Sequence, residues 1–239
     1  MANEPYRSAR LKLKRARRHI EELQQIIDGY SGAEIAPEQS GNSRVTWRLR
    51  IREDPKDDVE TILGDAIHNL RVSLDHTAVE AVRLNGKNVK DVYFPFAADG
   101  SQLEIMIKKR NFHRASDAAI DLIRSLKPYS GGNAALRAIH DLDIADKHRS
   151  LVEFAGSAKQ SADLQVGGAL LSGNSFSLVD GMGLVDAPLV PLQAYKPIPI
   201  HLVATIALGQ PLGGSEVLPT LTSLSELVDG IVEAFAALR

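Results

Sequence analysis

Apolar side chains recur along the first thirty residues at steps of three and four: Tyr6, Ala9, Leu13, Ala16, Ile20, Leu23, Ile27 and Tyr30. That period is the seam of a long helix packed lengthwise on another. Ser31 to Ser43, rich in Gly, Ser and Pro, reads as loop. From Arg44 to Arg52 the period becomes two, with Val45, Trp47, Leu49 and Ile51 on one side and Arg44, Thr46, Arg48, Arg50 and Arg52 on the other. This predicts a half-buried strand. After Asp54-Pro55, a second helix is predicted from about Asp57 to Leu84, ended by the Asn85-Gly86 turn, with Leu63, Ile67, Leu70, Leu74, Ala78 and Ala81 as its buried stripe.

Ser101 and Glu104 are spaced as a capping box opening a short helix. A further helix is predicted over about Ser116 to Lys127, stopped by Pro128. The next runs to about Arg149, with Asn133 as its N-cap and Ala135, Ala138, Ile139, Leu142 and Ala145 as its stripe. Between Leu151 and Leu208, short apolar runs separated by Gly, Asp and Pro predict a small sheet, and helical spacing returns from Leu218 to Phe235. The expected architecture is α+β: a helical bundle of about five helices, with a small, mainly antiparallel sheet inserted before the C-terminal helix. Residues 1–239 read as a single domain. A mostly helical part covers 1–149 with one strand near 44–52, a strand-rich segment covers 150–215, and a C-terminal helix over 216–239 packs back on the bundle.

Composition narrows the chemistry. The chain has 239 residues, is 44% hydrophobic and 24% charged, and carries a formal net charge of −2, so any attraction to polyanions must be local. The absence of cysteine excludes disulfides, thiolate metal sites and cysteine nucleophiles. No apolar run is long enough to span a membrane or to follow the basic N-terminus as a secretory signal, so a cytoplasmic protein is expected. Local positive charge stands on the first helix, at Arg7, Arg10, Lys12, Lys14, Arg15, Arg17 and Arg18, and on the strand, where Arg48 and Arg50 are candidate binding residues. Like charges along one strand face repel, so these arginines call for acidic side chains or a polyanion. No Gly-rich phosphate loop and no Gly-x-Ser-x-Gly elbow is present, and with aromatics at 5% a base-stacking platform is not expected.

Two polar stretches, GDAIHNLRVSLDH from Gly64 to His76 and HDLDIADKHR from His140 to Arg149, hold four of the seven histidines. On the second helix Asp65, Asn69 and His76 fall opposite the apolar stripe beside Val72 and Val79, and His68, Arg71 and Asp75 form an adjacent row. Such a face suits a second contact, either another helix or a second subunit. On the later helix His140, Asp143 and Lys147 share one flank and Asp141 and His148 another; Arg71 with Asp75, and Asp143 with Lys147, are four apart and suited to ion pairs.

Three readings of these faces differ from a plain scaffold of paired charges. His140-Asp141, with His68, His76 and His148 as further nitrogen ligands, resembles the doublet of metal-dependent phosphohydrolases. A binding module would use the basic helix and strand without chemistry. Metal-free acid–base chemistry on RNA would pair a titratable histidine with an arginine. For that last reading, Arg71-Val-Ser-Leu-Asp-His76 has the Arg-x-x-x-x-His form and resembles the signature of the HEPN superfamily, all-helical proteins many of which are dimeric ribonucleases of toxin and defence systems.

The resemblance implies that Arg71 steadies the phosphate and His76 acts as acid or base around the 2′-hydroxyl. The wider pattern, adding the FPF, KPYSGG and DIADKHR stretches, is similar to a large group of uncharacterised bacterial proteins. The expectation is a HEPN-like, metal-independent RNA-cleaving or RNA-binding homodimer. Arg71, His76, His68 and Asn69 would be its catalytic residues and His140, Asp143, Lys147, His148, Arg48 and Arg50 its binding residues, with no cofactor. The alternatives are a non-enzymatic scaffold or binding module and a phosphohydrolase using His140-Asp141.

Overall fold

The seam of the first helix is buried as its spacing requires: Tyr6, Ala9, Leu13, Ala16 and Leu23 are all within the core. The computed structural model describes residues 4–40, 44–148, 154–159, 164–166, 169–171, 175–177, 183–188, 198–199 and 201–238. In it α1 (Arg7–Gly29) lies antiparallel to α2 (Lys56–Leu84). The direction follows from cross-links along their length: Glu80 accepts from the Tyr6 N–H, Ser73 Oγ donates to Ala9 O at 2.9 Å, and Tyr30 donates to Glu53 O at 2.6 Å. The predicted stripe of α2 is fully inside, with Leu63, Ile67, Leu70, Leu74 and Ala78 at 0% exposure.

α2 is the central helix, because three other helices reach it. α6 (Val217–Ala236) covers α1 and α2 with Leu221, Leu224, Val228, Ile231 and Phe235. α5 (Ala134–His148) covers the polar row of α2, and Leu136, Ile139 and Leu142 join the same core. α3 (Leu103–Lys109) and α4 (Asp117–Leu126) close one end. Two N-caps are as expected: Ser116 Oγ accepts from the Ala119 N–H at 3.3 Å, and Asn133 Oδ1 accepts from the Leu136 N–H at 3.0 Å. The proposed capping box is corrected. Asp99, not Ser101, supplies the cap, accepting from the Ser101 N–H at 2.8 Å and opening a 3-10 turn that leads into α3.

The α+β class holds, with six α-helices among the described residues rather than about five. The sheet departs further from expectation. Residues expected as loop contain β1 (Ala33–Ser40), which pairs along its length with β2 (Arg44–Ile51). Pro37 and the Gly/Ser-rich flanks hid it. Proline is tolerated there because, among the described residues, β1 is bonded on its other side only at Glu34 and Ile35, to β8 (Ile198–Pro199).

The strand near 44–52 thus has a neighbour within the N-terminal part that was not expected. β2 also pairs with β7 (Gly183–Pro188), giving the order β7-β2-β1-β8, and this sheet joins early and late parts of the chain. A second sheet has β3 (Phe154–Lys159) between β6 (Ser175–Ser177) and β9 (His201–Ile206). β4 (Leu164–Val166) and β5 (Ala169–Leu171) form a two-stranded pair. Every pairing between these strands is antiparallel. Among the described residues no helix is long and apolar enough to cross a membrane.

Candidate functional site

β2 buries Val45, Trp47 and Leu49 and turns its arginines outward. Acidic side chains of β1 answer two of them diagonally: Arg48 Nε lies 3.2 Å from Glu38 Oε2, and Arg52 pairs with Glu34. Arg50 stays exposed. The demand for anions on this face is thus met in part by its own hairpin.

The polar row of α2 meets α5 within one chain, as an antiparallel ladder. At its foot Gly64 admits Asp146, since a Cβ there would come within 2.5 Å of Asp146 Oδ1. One turn on, His68 Nδ1 and Asp143 Oδ1 are 2.8 Å apart, with the carboxylate side chain 7% exposed and the histidine side chain 40% exposed. At the next rung Arg71 Nε donates to His140 Nδ1 at 3.4 Å, while Arg71 Nη1 sits 2.6 Å from Asp75 Oδ1. That last contact is an ion pair without hydrogen-bond alignment. Asp75 also accepts from the Phe94 N–H at 2.8 Å, which ties the Phe94-Pro95-Phe96 segment to α2.

Phe96 completes the ladder. Its ring stacks on His140 with centroids 4.6 Å apart and planes 3° from parallel, and Arg71 Cζ lies 4.6 Å from its centroid. Arg137 holds Asp141 through two contacts of 2.8 and 2.6 Å and donates to Ala97 O. Burial, followed by the charges of Arg71 and Arg137, pushes His140 down to about 4, so the ring is neutral near pH 7. The Nδ1 atoms of the two histidines face opposite kinds of partner. His68 turns Nδ1 to a carboxylate, which accepts its Nδ1–H, whereas the neutral His140 receives a hydrogen bond at Nδ1 and carries its proton on Nε2.

The expected catalytic residues separate. Five positions on one helix amount to about 140° of rotation, so Arg71 faces α5 while His76 faces α1, where it borders a groove with Ser8, Leu11, Lys12 and Arg15. Asn69 is buried and donates to Asp65 O at 2.8 Å. His68, Arg71, His140 and Asp143 do come together. The side chains of Lys147 and His148 lie outside the described residues, so the expected Asp143 to Lys147 pair does too; His68 is one partner of Asp143.

The His140-Asp141 doublet sits in cationic company, with Arg71 bonded to His140 and Arg137 to Asp141, which is poor ground for a metal cation. Among the described residues no group of three histidine or carboxylate side chains is placed to hold one. Two partners were not anticipated, Phe96 and Gly64. The FPF stretch and the glycine that opens GDAIHNLRVSLDH were their visible traces. No family model matches this chain, and no curated protein or solved structure is significantly similar to it.

Proposed function

We propose that the protein cleaves RNA without a metal, with His68 as the acid–base group, Asp143 as its positioning residue and His140 as a neutral hydrogen-bond donor. The observation that carries this reading is the His68 to Asp143 contact of 2.8 Å, in which a buried carboxylate orients a histidine that still reaches solvent. A carboxylate behind the ring fixes the tautomer and favours the imidazolium that forms when Nε2 takes a proton. The substrate's 2′-hydroxyl gives that proton to His68, and its oxygen forms the new bond to phosphorus. The bond to the 5′-oxygen breaks, and the proton returns to that oxygen through solvent, leaving a 2′,3′-cyclic phosphate and a 5′-hydroxyl. The His140 Nε2–H, one helical turn away, is suited to a non-bridging phosphate oxygen.

This reading keeps the metal independence of the HEPN resemblance but moves the acid–base role from His76 to His68. It needs no second copy, because α5 of the same chain supplies the facing wall; sedimentation equilibrium tests whether a homodimer forms through another surface. The decisive assay incubates end-labelled RNA with protein in excess EDTA. Wild type is expected to yield cyclic-phosphate ends, His68→Ala to lose them, and Asp143→Asn to retain a small fraction with a shifted pH profile. Intact RNA with wild type, or equal cleavage by His68→Ala, sinks the reading.

A second reading has its own support. Arg71 is engaged on three sides, by Asp75, His140 and Phe96, as in a structural brace. A brace predicts that the same substitutions alter melting temperature and nothing else.

A further inference from the structure

The cations of α1 fall into two sets. Arg10 and Arg17 lean on α6: Arg10 Nε and Nη2 lie 2.8 and 2.9 Å from the Glu233 carboxylate, and Arg17 Nη2 lies 2.9 Å from Asp229 Oδ2. On another face Ser8, Leu11, Lys12 and Arg15 line an open groove of about 340 Å3 whose other wall is His76 of α2. Among the described residues Lys12 and Arg15 form no ion pair, nor do Arg7, Lys14 and Arg18 on the adjoining exposed face.

Two neighbouring acids already have partners. Glu80, one turn beyond His76, is held by Arg83 at 2.6 and 2.7 Å and accepts from the Tyr6 N–H. Glu22, two turns beyond Arg15, lies 3.5 Å from His19. In a chain with net charge −2, α1 thus presents a positive strip without ion pairs among the described residues, bordered by an apolar Leu11 that is 48% exposed.

We propose that this groove binds the phosphodiester backbone of a single RNA strand, with Lys12 and Arg15 each contacting a phosphate and His76 adding a hydrogen bond. A cationic groove with an apolar edge matches a sugar–phosphate chain, whose charges alternate with less polar sugars. The choice of occupant rests on the RNA reading above. His68 and His76 are eight residues apart, about 12 Å along α2 and about 80° around it. A strand lying in the groove and crossing the half-buried Val72, which stands between His76 and His68 on α2, therefore arrives at the His68 ring. The groove holds the strand and the seam acts on it.

The test uses full-length protein and a fluorescein-labelled 2′-O-methyl oligouridine, which keeps every phosphate but has no 2′-hydroxyl to react. Affinity is read by anisotropy between about 50 and 200 mM salt. Lys12→Gln combined with Arg15→Gln is expected to weaken binding and to make the slope of log affinity against log salt shallower by about 1.4, two contacts at about 0.7 each. Arg124→Gln, which disrupts exposed pairs with Glu104 of α3 and Asp121 of α4, should leave both unchanged. An unaltered slope in the double variant, or an equal loss in Arg124→Gln, overturns the proposal. So does binding to phosphatidylglycerol vesicles through Lys12 and Arg15 without binding to the oligomer, which would make the strip a membrane contact. Groove-dependent binding together with unimpaired cleavage by His68→Ala would leave the groove standing and remove the chemistry proposed for the seam.

Discussion

Replacing Arg71 by methionine keeps most of the side chain's length and removes its charge. The Arg71 side chain is 8% exposed, the Asp75 side chain is 24% exposed, and the pair is 2.6 Å apart. Removing one partner of a buried pair costs about 3–5 kcal/mol, chiefly because the other charge is left behind. Asp75 keeps the Phe94 N–H and some solvent, so a smaller loss of about 2–3 kcal/mol is expected, including the contact with Phe96.

Urea unfolding measures that loss. NMR titration supplies a second readout: Arg71 is the second cause, after burial, of the depressed His140 value, so the ring should titrate above about 4 in the variant yet remain below its ordinary 6.5. A stability loss under about 0.5 kcal/mol, with an unmoved His140 titration, would refute the brace-like role given to Arg71. A variant that stays stable but no longer cuts RNA would return Arg71 to the reaction itself.

Two further outcomes follow from the same ladder. His140 is depressed in the folded chain, so the unfolded chain binds more protons between about 4 and 6.5; the ring's contribution is complete above pH 6.5 and fades as pH falls through that window. At about 1.36 kcal/mol per pH unit this is about 3 kcal/mol at most, and partial solvent access lowers it to about 1–2 kcal/mol, which His140→Gln should abolish in melting curves taken from pH 7.5 to 4.5. Gly64→Ala should destabilise by about 1–3 kcal/mol, because its Cβ meets the Asp146 carboxylate, and Asp146→Ala in the same chain should recover most of the loss by denaturant melts.

Much of the helical framework was legible in the sequence because helix burial is written in local periodicity. The stripes of α1 and α2, and the caps at Ser116 and Asn133, needed no distant partner to be recognised. β1 was not legible, since Ala33, Ile35 and Pro37 lack the β-branched alternation of β2 and acquire their strand from pairing with it. The same distinction runs through the site. Arg71 with Asp75 could be paired by spacing alone, but His68 with Asp143, and His140 with Arg71 and Phe96, depend on which helix crosses which. Rotation also separated Arg71 from His76, two residues that a linear motif places together.

The sheet that runs β7-β2-β1-β8 has a consequence for how the chain becomes this molecule. Trp47 finds its strand neighbour at Val185, so the hairpin made early in synthesis has one flank unsatisfied until the ribosome has produced the intervening helices. α1 waits in the same way for Glu233 and Asp229 of α6. Such non-local closures slow folding, because the entropy of a long loop must be surrendered before either edge is rewarded. During translation the nascent chain therefore exposes a strand edge and an unneutralised basic helix together, and that interval is when a chaperone would find most to hold.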